Sequence, residues 1–112
     1  MNEKKKEFEP VPSLAEREAL ALLVEELGEA IQVVGKILRH GWDSQNPLTL
    51  GAMNREALAG ELGDVLAAIT IIAQTGRITQ LELAQNQAAK LVRVRRWLHH
   101  VEIAEMAREV PR

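Results

Sequence analysis

Two short acidic motifs, each inside a helix-like pattern of apolar residues, constrain this chain most. The first, Glu-Glu-Leu-Gly-Glu, covers residues 25–29, and the second, Glu-Leu-Gly-Asp, covers residues 61–64. Each contains two acids three positions apart, which share one face of a helix at about 100° per residue. Two such helices side by side would bring four carboxylates to one point, and burying them together requires a cation. Oxygen ligands of this kind suit Mg²⁺, usually with a phosphate as a further ligand.

The composition is that of a small soluble domain rather than of a membrane or nucleic-acid-binding protein. The 112 residues are 46% hydrophobic and 27% charged, and the net charge is −2, so no basic surface predicts a nucleic-acid partner. No apolar run approaches the roughly 18 residues that a membrane helix needs. The chain has no cysteine, which excludes disulfides and cysteine metal sites and fits a cytoplasmic protein.

Capping residues and apolar periodicity predict three helices and no strands. Ser13-x-x-Glu16 and Thr79-x-x-Glu82 are capping boxes that open helices 1 and 3. The expected bounds are residues 14–40 for helix 1, 54–75 for helix 2 and 79–101 or beyond for helix 3, with glycine stops at Gly41 and Gly76. We therefore expect a flexible N-terminal arm over residues 1–12 and a single all-α domain over residues 13–110.

Helix 1 has one continuous apolar face, but the chain is poor in large core residues. The apolar positions of that face are Leu20, Val24, Leu27, Ile31, Val34 and Leu38. Only three aromatic residues are present, so the core depends on aliphatic side chains. Such a three-helix bundle is marginal alone. We expect homo-oligomerisation, as a homodimer or homotetramer, to complete it.

The acids differ in where the helical periodicity puts them. Glu26 and Glu29 fall at the edge of an apolar face, whereas Glu25 falls on the polar face of helix 1. Glu61 and Asp64 fall within the apolar stripe of helix 2, where unpaired acids are avoided. Two interpretations stay open for these two residues, namely metal ligation and burial against a basic residue of helix 3.

A few other residues are candidates for substrate contacts. Lys90 shares an apolar face of helix 3, flanked by Asn86 and Arg93, and could bind phosphate or pair with a core acid. Trp42 follows helix 1 in a loop, where it could stack on a base or cover the core. The three histidines have no recognisable ligand spacing and are expected to be structural or exposed.

Both acidic motifs contain a glycine, Gly28 and Gly63. Glycine costs about 1 kcal/mol in a helix interior relative to alanine. Close approach of another helix would offset that cost, and simple tolerance of the glycines is the alternative.

With Glu-Glu-x-x-Glu at 25–29 followed by Glu-x-x-Asp at 61–64, the chain resembles the all-α nucleoside triphosphate pyrophosphatases, in their MazG-like branch. The resemblance extends over roughly residues 14–100. It implies Mg²⁺-dependent hydrolysis of a nucleoside or deoxynucleoside triphosphate to the monophosphate and pyrophosphate, with Mn²⁺ as an alternative ion. It also implies assembly as dimers or tetramers. The spacer between the two motifs is longer here than in compact members of the family.

The resemblance implies that four residues bind the metal and that two of these are also catalytic. The implied ligands are Glu26, Glu29, Glu61 and Asp64, with Glu25 as a supporting or additional ligand. A carboxylate, Glu26 or Glu29, would position or deprotonate the attacking water, and Lys90 would stabilise the leaving pyrophosphate. The alternative is a non-catalytic helical interaction or regulatory module that retains the fold, which explains acids on two apolar faces poorly.

Overall fold

The described part of the chain folds into three α-helices and contains no strand. The computed structural model describes residues 11–45 and 51–103. The helices are α1 (Leu14–His40), α2 (Asn54–Gln74) and α3 (Gln80–Val94). The all-α prediction is therefore confirmed. The predicted arm over residues 1–12, apart from its last two residues, lies outside the described part of the chain.

Helix α1 begins and ends where its capping residues predict. The Ser13 hydroxyl accepts a hydrogen bond from the Glu16 amide at 3.1 Å, and the Glu16 carboxylate accepts one from the Ser13 amide at 2.8 Å. At the other end Gly41 has φ of 94° and donates its N–H to Ile37 O at 2.8 Å. A positive φ of this size is accessible to glycine at little cost, so Gly41 terminates the helix.

A network of hydrogen bonds joins the end of α1 to the start of α2. Asn54 Nδ2 donates to Gly41 O at 3.0 Å, and its backbone N–H donates to Ser44 O at 2.9 Å. The Arg55 N–H donates to Trp42 O at 2.8 Å. These bonds hold the first turn of α2 beside the last turn of α1, so the two helices run antiparallel.

The buried residues of α1 and α2 are mostly alanines. The buried apolar residues are Ala19, Ala30 and Val33 on α1, with Ala68 and Ile72 on α2. Ala68 is 0% exposed. Short side chains allow two helix backbones to approach closely. The interface thus brings α1 and α2 together while burying little apolar area.

The apolar face predicted on helix 1 is not the face that packs against α2. Leu20, Val24, Leu27, Ile31, Val34 and Leu38, which we call the apolar seam, are between 42% and 82% exposed. They follow one another at intervals of four and three residues, as in a coiled-coil seam. Each side chain of the apolar seam therefore keeps more than two fifths of its surface exposed.

Close helix approach does not explain the glycines of the acidic motifs. A Cβ atom added at Gly28 or at Gly63 would meet nothing within 4 Å. Within the chain both glycines therefore face open space, and tolerance of glycine is the interpretation that the described residues support.

Helix α3 begins as predicted but ends earlier. The Thr79 N–H and hydroxyl donate to the Glu82 carboxylate at 2.8 and 3.1 Å and hold its pKa below the ordinary value. The helix ends at Val94 rather than near residue 101, because Arg96 N–H bonds to Arg93 O and Trp97 N–H bonds to Val94 O. Such three-residue bonds tighten the last turn and close the helix.

Residues up to Thr75 form one compact unit, and residues from Gly76 onward, which include α3, form a second. None of the described helices has both the length and the apolar character required to span a membrane.

Candidate metal centre

Three glutamates from α1 and α2 come together at the helix interface. Glu26 and Glu29 lie about one turn apart on α1, and Glu61 lies on the facing side of α2. One carboxylate oxygen from each lies within 4.8 Å of the others, and all three side chains are half-buried. The structure thus joins the two acidic motifs, which are more than thirty residues apart in the chain, into one cluster.

One oxygen of Glu26 is buried without a partner. Glu26 Oε1 is shielded from solvent and has no hydrogen-bond partner among the described residues. Burying a carboxylate oxygen without compensation is unfavourable, and such atoms are rare in folded proteins. A cation held between Glu26, Glu29 and Glu61 would supply the missing partner, so this observation supports a metal site.

Burial and mutual repulsion raise the pKa of two of these carboxyls. For Glu26 the largest cause is burial, followed by the charges of Glu29 and Asp64, a hydrogen bond to Glu29 and the charge of Glu25. For Glu61, burial again comes first, followed by the charges of Glu29 and Asp64. Both groups therefore hold protons more tightly than an isolated glutamate, as expected where like charges are clustered without a counter-ion.

Asp64 and Glu25 lie at the margin of the cluster. Asp64 is exposed and is not one of the three acids whose oxygens lie within 4.8 Å of one another. Its charge nevertheless raises the pKa of both Glu26 and Glu61, so it is close enough to act on them electrostatically. Glu25 is exposed, in agreement with its predicted position on the polar face.

The other candidates from the sequence lie in the loop after α1 and on α3. Trp42 is 55% exposed in the loop after α1, and its carbonyl binds the Arg55 amide. Asn86, Lys90 and Arg93 are exposed on α3, in the second unit. The Asn86 side chain donates to Glu82 O at 2.8 Å. The predicted substrate contacts of these residues stay predictions.

A cavity that the sequence analysis missed begins one helical turn from the carboxylates. Its volume is about 640 Å³, and it lies where the end of α1 meets the start of α2. Its lining includes Val33, Lys36, Arg39, His40, Asn54 and Ala57. The signal was present in the sequence, because Val33, Lys36 and His40 continue the face of Glu29 in steps of three and four. At about 100° per residue, Lys36 and Arg39 also fall on the polar face of α1 together with Glu25, which hides this signal.

The ligand chemistry of the cluster fits a hard divalent cation. Carboxylate oxygens are the ligands that Mg²⁺ and Mn²⁺ prefer, whereas no cysteine is present and no histidine belongs to the cluster. Mg²⁺ typically binds one or two carboxylates and completes its coordination with water and phosphate oxygens. The half-buried cluster can therefore hold such an ion while leaving positions for a substrate.

The raised pKa values predict how stability depends on pH without metal. At a pH above the ordinary glutamate value of 4.5, the folded protein holds protons that the unfolded chain has released. The free energy of unfolding should therefore fall as pH rises through the raised pKa values. Chemical denaturation between pH 4 and 8 in a metal chelator should detect this fall, and Glu61→Gln should reduce it.

Glu18→Gln is the matched control, because it removes the same charge from an exposed position of α1 outside the cluster. It should leave the fall in stability unchanged. Added Mg²⁺ should stabilise the wild-type protein most at high pH, where protons compete least for the carboxylates. An equal pH dependence in wild type and Glu61→Gln would contradict the clustered-acid interpretation.

The comparisons with known proteins agree with this geometry. No curated protein and no solved structure matches the chain. The family model for the MazG nucleotide pyrophosphohydrolase domain matches residues 15–99, well over half of the chain. This span contains both acidic motifs and all three glutamates of the cluster. The chain therefore belongs to the family of MazG nucleotide pyrophosphohydrolase domains.

Proposed function

We propose that this protein is a Mg²⁺-dependent enzyme that hydrolyses a nucleoside or deoxynucleoside triphosphate to the monophosphate and pyrophosphate. Its role would be to clear unwanted nucleotides from the cytoplasmic pool. The observation that carries the proposal is the cluster of Glu26, Glu29 and Glu61, with its unpartnered buried oxygen. Membership of a nucleotide pyrophosphohydrolase family supports the reaction class.

The metal would be held by Glu26, Glu29 and Glu61, with Asp64 as a fourth ligand and Glu25 in a supporting role. When bound, Mg²⁺ neutralises phosphate charge and lowers the pKa of bound water. The proposal includes Asp64 because its charge already acts on Glu26 and Glu61. A small rotation of an exposed side chain brings a carboxylate toward a bound cation at low cost.

Glu26 or Glu29 would position the attacking water and accept its proton. Attack at the α-phosphorus forms one phosphorus–oxygen bond and breaks the bond to the leaving pyrophosphate. A general base works best when its pKa lies near the working pH. Burial, the largest cause of the raised pKa of Glu26, moves that pKa in this direction.

Residues outside the cluster would bind the rest of the substrate. Lys90, Arg93 and Asn86 would contact phosphate oxygens from α3, since lysine and arginine form strong charge-assisted hydrogen bonds to phosphate. Trp42 would offer an aromatic face to the base. These assignments rest on residue type and on position along the chain.

Asp64→Asn should abolish turnover without preventing folding. The substitution keeps the shape of the side chain but removes a metal-binding charge, and it relieves repulsion within the cluster. We expect kcat/KM to fall more than about 100-fold, since even residues that only orient metal ligands contribute about 10–100-fold. Pyrophosphate release from a panel of triphosphates with Mg²⁺ measures the effect.

The control for this experiment is Asp43→Asn, the same chemical change at an exposed residue. Asp43 lies 3.8 Å from Arg55 in an exposed ion pair, which contributes little to stability, so the variant should retain wild-type activity. Normal turnover and normal metal dependence in Asp64→Asn would remove Asp64 from the proposed ligands.

Lys90→Ala should weaken catalysis with little effect on metal binding. Loss of one charge-assisted contact to phosphate should reduce kcat/KM by about 1.5–3 kcal/mol in transition-state free energy. Arg96→Ala, which removes the same charge from an exposed turn residue, serves as the control. Failure to fold, combined with normal kinetics in the remaining folded fraction, would instead make Lys90 a structural residue.

A homodimer or homotetramer would be formed by packing the apolar seam of α1 against a second copy. The 4-3 spacing of the seam matches the narrow stripe along which two helices pack. Leu62 and Leu66 of α2 are likewise 48% and 64% exposed. The described chain buries few apolar residues of its own, so a second copy would add a large part of the core.

Ile31→Glu should therefore dissociate the oligomer. Ile31 is 70% exposed within the chain, so a charge there costs a monomer little, whereas it would be desolvated in a seam between two copies. Gln32→Glu adds the same charge at the next, also exposed position and should leave assembly intact. Sedimentation velocity measures the mass, and wild-type protein that is monomeric at micromolar concentration would refute the oligomer.

A further inference from the structure

We propose that the cavity between the end of α1 and the start of α2 binds the nucleoside of the substrate and selects bases with a keto oxygen, rather than an amino group, at position 6 of a purine or position 4 of a pyrimidine. Lys36 and Arg39 are then the specificity-determining residues. They favour guanine, hypoxanthine, uracil and thymine over adenine and cytosine. This inference rests on the proposed function, because it assumes that the phosphates lie at the carboxylate cluster.

The position of the cavity follows from the face that it shares with the cluster. Val33 lies one turn beyond Glu29 on α1, and Ala57 lies one turn before Glu61 on α2. At a rise of about 1.5 Å per residue, Lys36 is about 10 Å and Arg39 about 15 Å further along α1 than Glu29. Helical side chains lean toward the N-terminus, which directs both cations back toward the cluster. A nucleoside extending from a phosphate at the cluster reaches this region.

The order of the lining residues distinguishes a nucleoside from a chain of phosphates. Beyond the carboxylates, the groove has a short apolar wall at Val33 and Ala57 and then the basic residues Lys36, Arg39 and His40. A phosphate chain gains nothing from an apolar wall, whereas the flat face of a base packs against one. The basic residues then meet the outer edge of the base.

The charges at the end of the cavity favour acceptors over donors. None of the described residues that line it is acidic, and neither Lys36 nor Arg39 forms an ion pair within the described chain. The N-terminus of α2, at Asn54, adds the positive end of its dipole. Lysine and arginine can only donate hydrogen bonds. A keto oxygen satisfies these donors, whereas an amino group at the same position does not.

The helix dipole alone does not account for this set of cations. Arg39 and His40 lie in the last turn of α1, where basic residues complement the negative end of a helix. Lys36 lies one turn earlier, where that effect has faded, yet it lines the same cavity. A ligand with hydrogen-bond acceptors explains why all three basic residues line the same cavity.

Two pairs of substrates that differ by one substituent test the inference. Inosine and adenosine triphosphates differ in the keto or amino group at position 6, and deoxyuridine and deoxycytidine triphosphates differ in the same way at position 4. We expect about a tenfold higher kcat/KM for the keto member of each pair, which lies within the discrimination that hydrogen bonds to a base edge provide. Lys36→Met and Arg39→Gln should each reduce the ratio, and the double variant should bring it close to one.

Arg17→Gln is the matched control, because Arg17 is exposed near the opposite end of α1, and it should preserve the ratio. Turnover without a keto preference, or with a preference that survives both substitutions, overturns the inference and leaves the proposed function standing. If no triphosphate is hydrolysed, calorimetric titration with inosine and adenosine monophosphates decides. Tighter binding of the inosine compound that depends on Lys36 and Arg39 supports the subsite without the reaction, and equal or absent binding refutes the inference.

Discussion

Electrostatic repulsion among carboxylates at the α1–α2 interface is the constraint on which the rest of the structure depends. Glu26, Glu29 and Glu61 approach within 4.8 Å in a half-buried setting, and both burial and like charge oppose the ionisation of Glu26 and Glu61. The helices could relieve this repulsion by moving apart. The hydrogen bonds from Asn54 to Gly41 and Ser44 resist that movement at one end. A bound cation would convert the same arrangement from repulsive to attractive.

The apolar contacts of the chain are correspondingly modest. Five small or medium-sized residues are buried between the first two helices, and α3 has no buried residue among those described. The larger aliphatic side chains lie instead on exposed faces, above all on the apolar seam. A protein organised in this way depends for part of its stability on what it binds, since ligands and partner subunits that bind only the folded state stabilise it by mass action.

Local signals in the sequence predicted the helices well, because the capping boxes at Ser13 and Thr79 and the stop at Gly41 act through neighbouring residues alone. The end of α3 was predicted too late, since no residue near Val94 marks a stop. The acidic cluster was predictable because Glu26, Glu29 and Glu61 fall on or beside apolar faces. The face of α1 that packs against α2 was not predictable, because α1 has two apolar faces. The more hydrophobic of them is exposed, and the alanine-rich one meets α2. The basic cavity was not predictable either, because Lys36 and Arg39 fall on the polar face of α1, where cations are usually solvated.

The alanines of the interface have a consequence for ion size. Ala30 follows Glu29 directly in the chain, and Ala68 lies two turns beyond Glu61 on the same face of α2. Both are buried, so their methyl groups determine how closely the two helix axes approach. The separation of the axes in turn determines the width of the space between the glutamates. Discrimination between Mg²⁺ and the larger Ca²⁺ depends on the width and rigidity of such a space. Ala30 and Ala68 would thus influence which ion the site selects, although neither side chain contacts the ion.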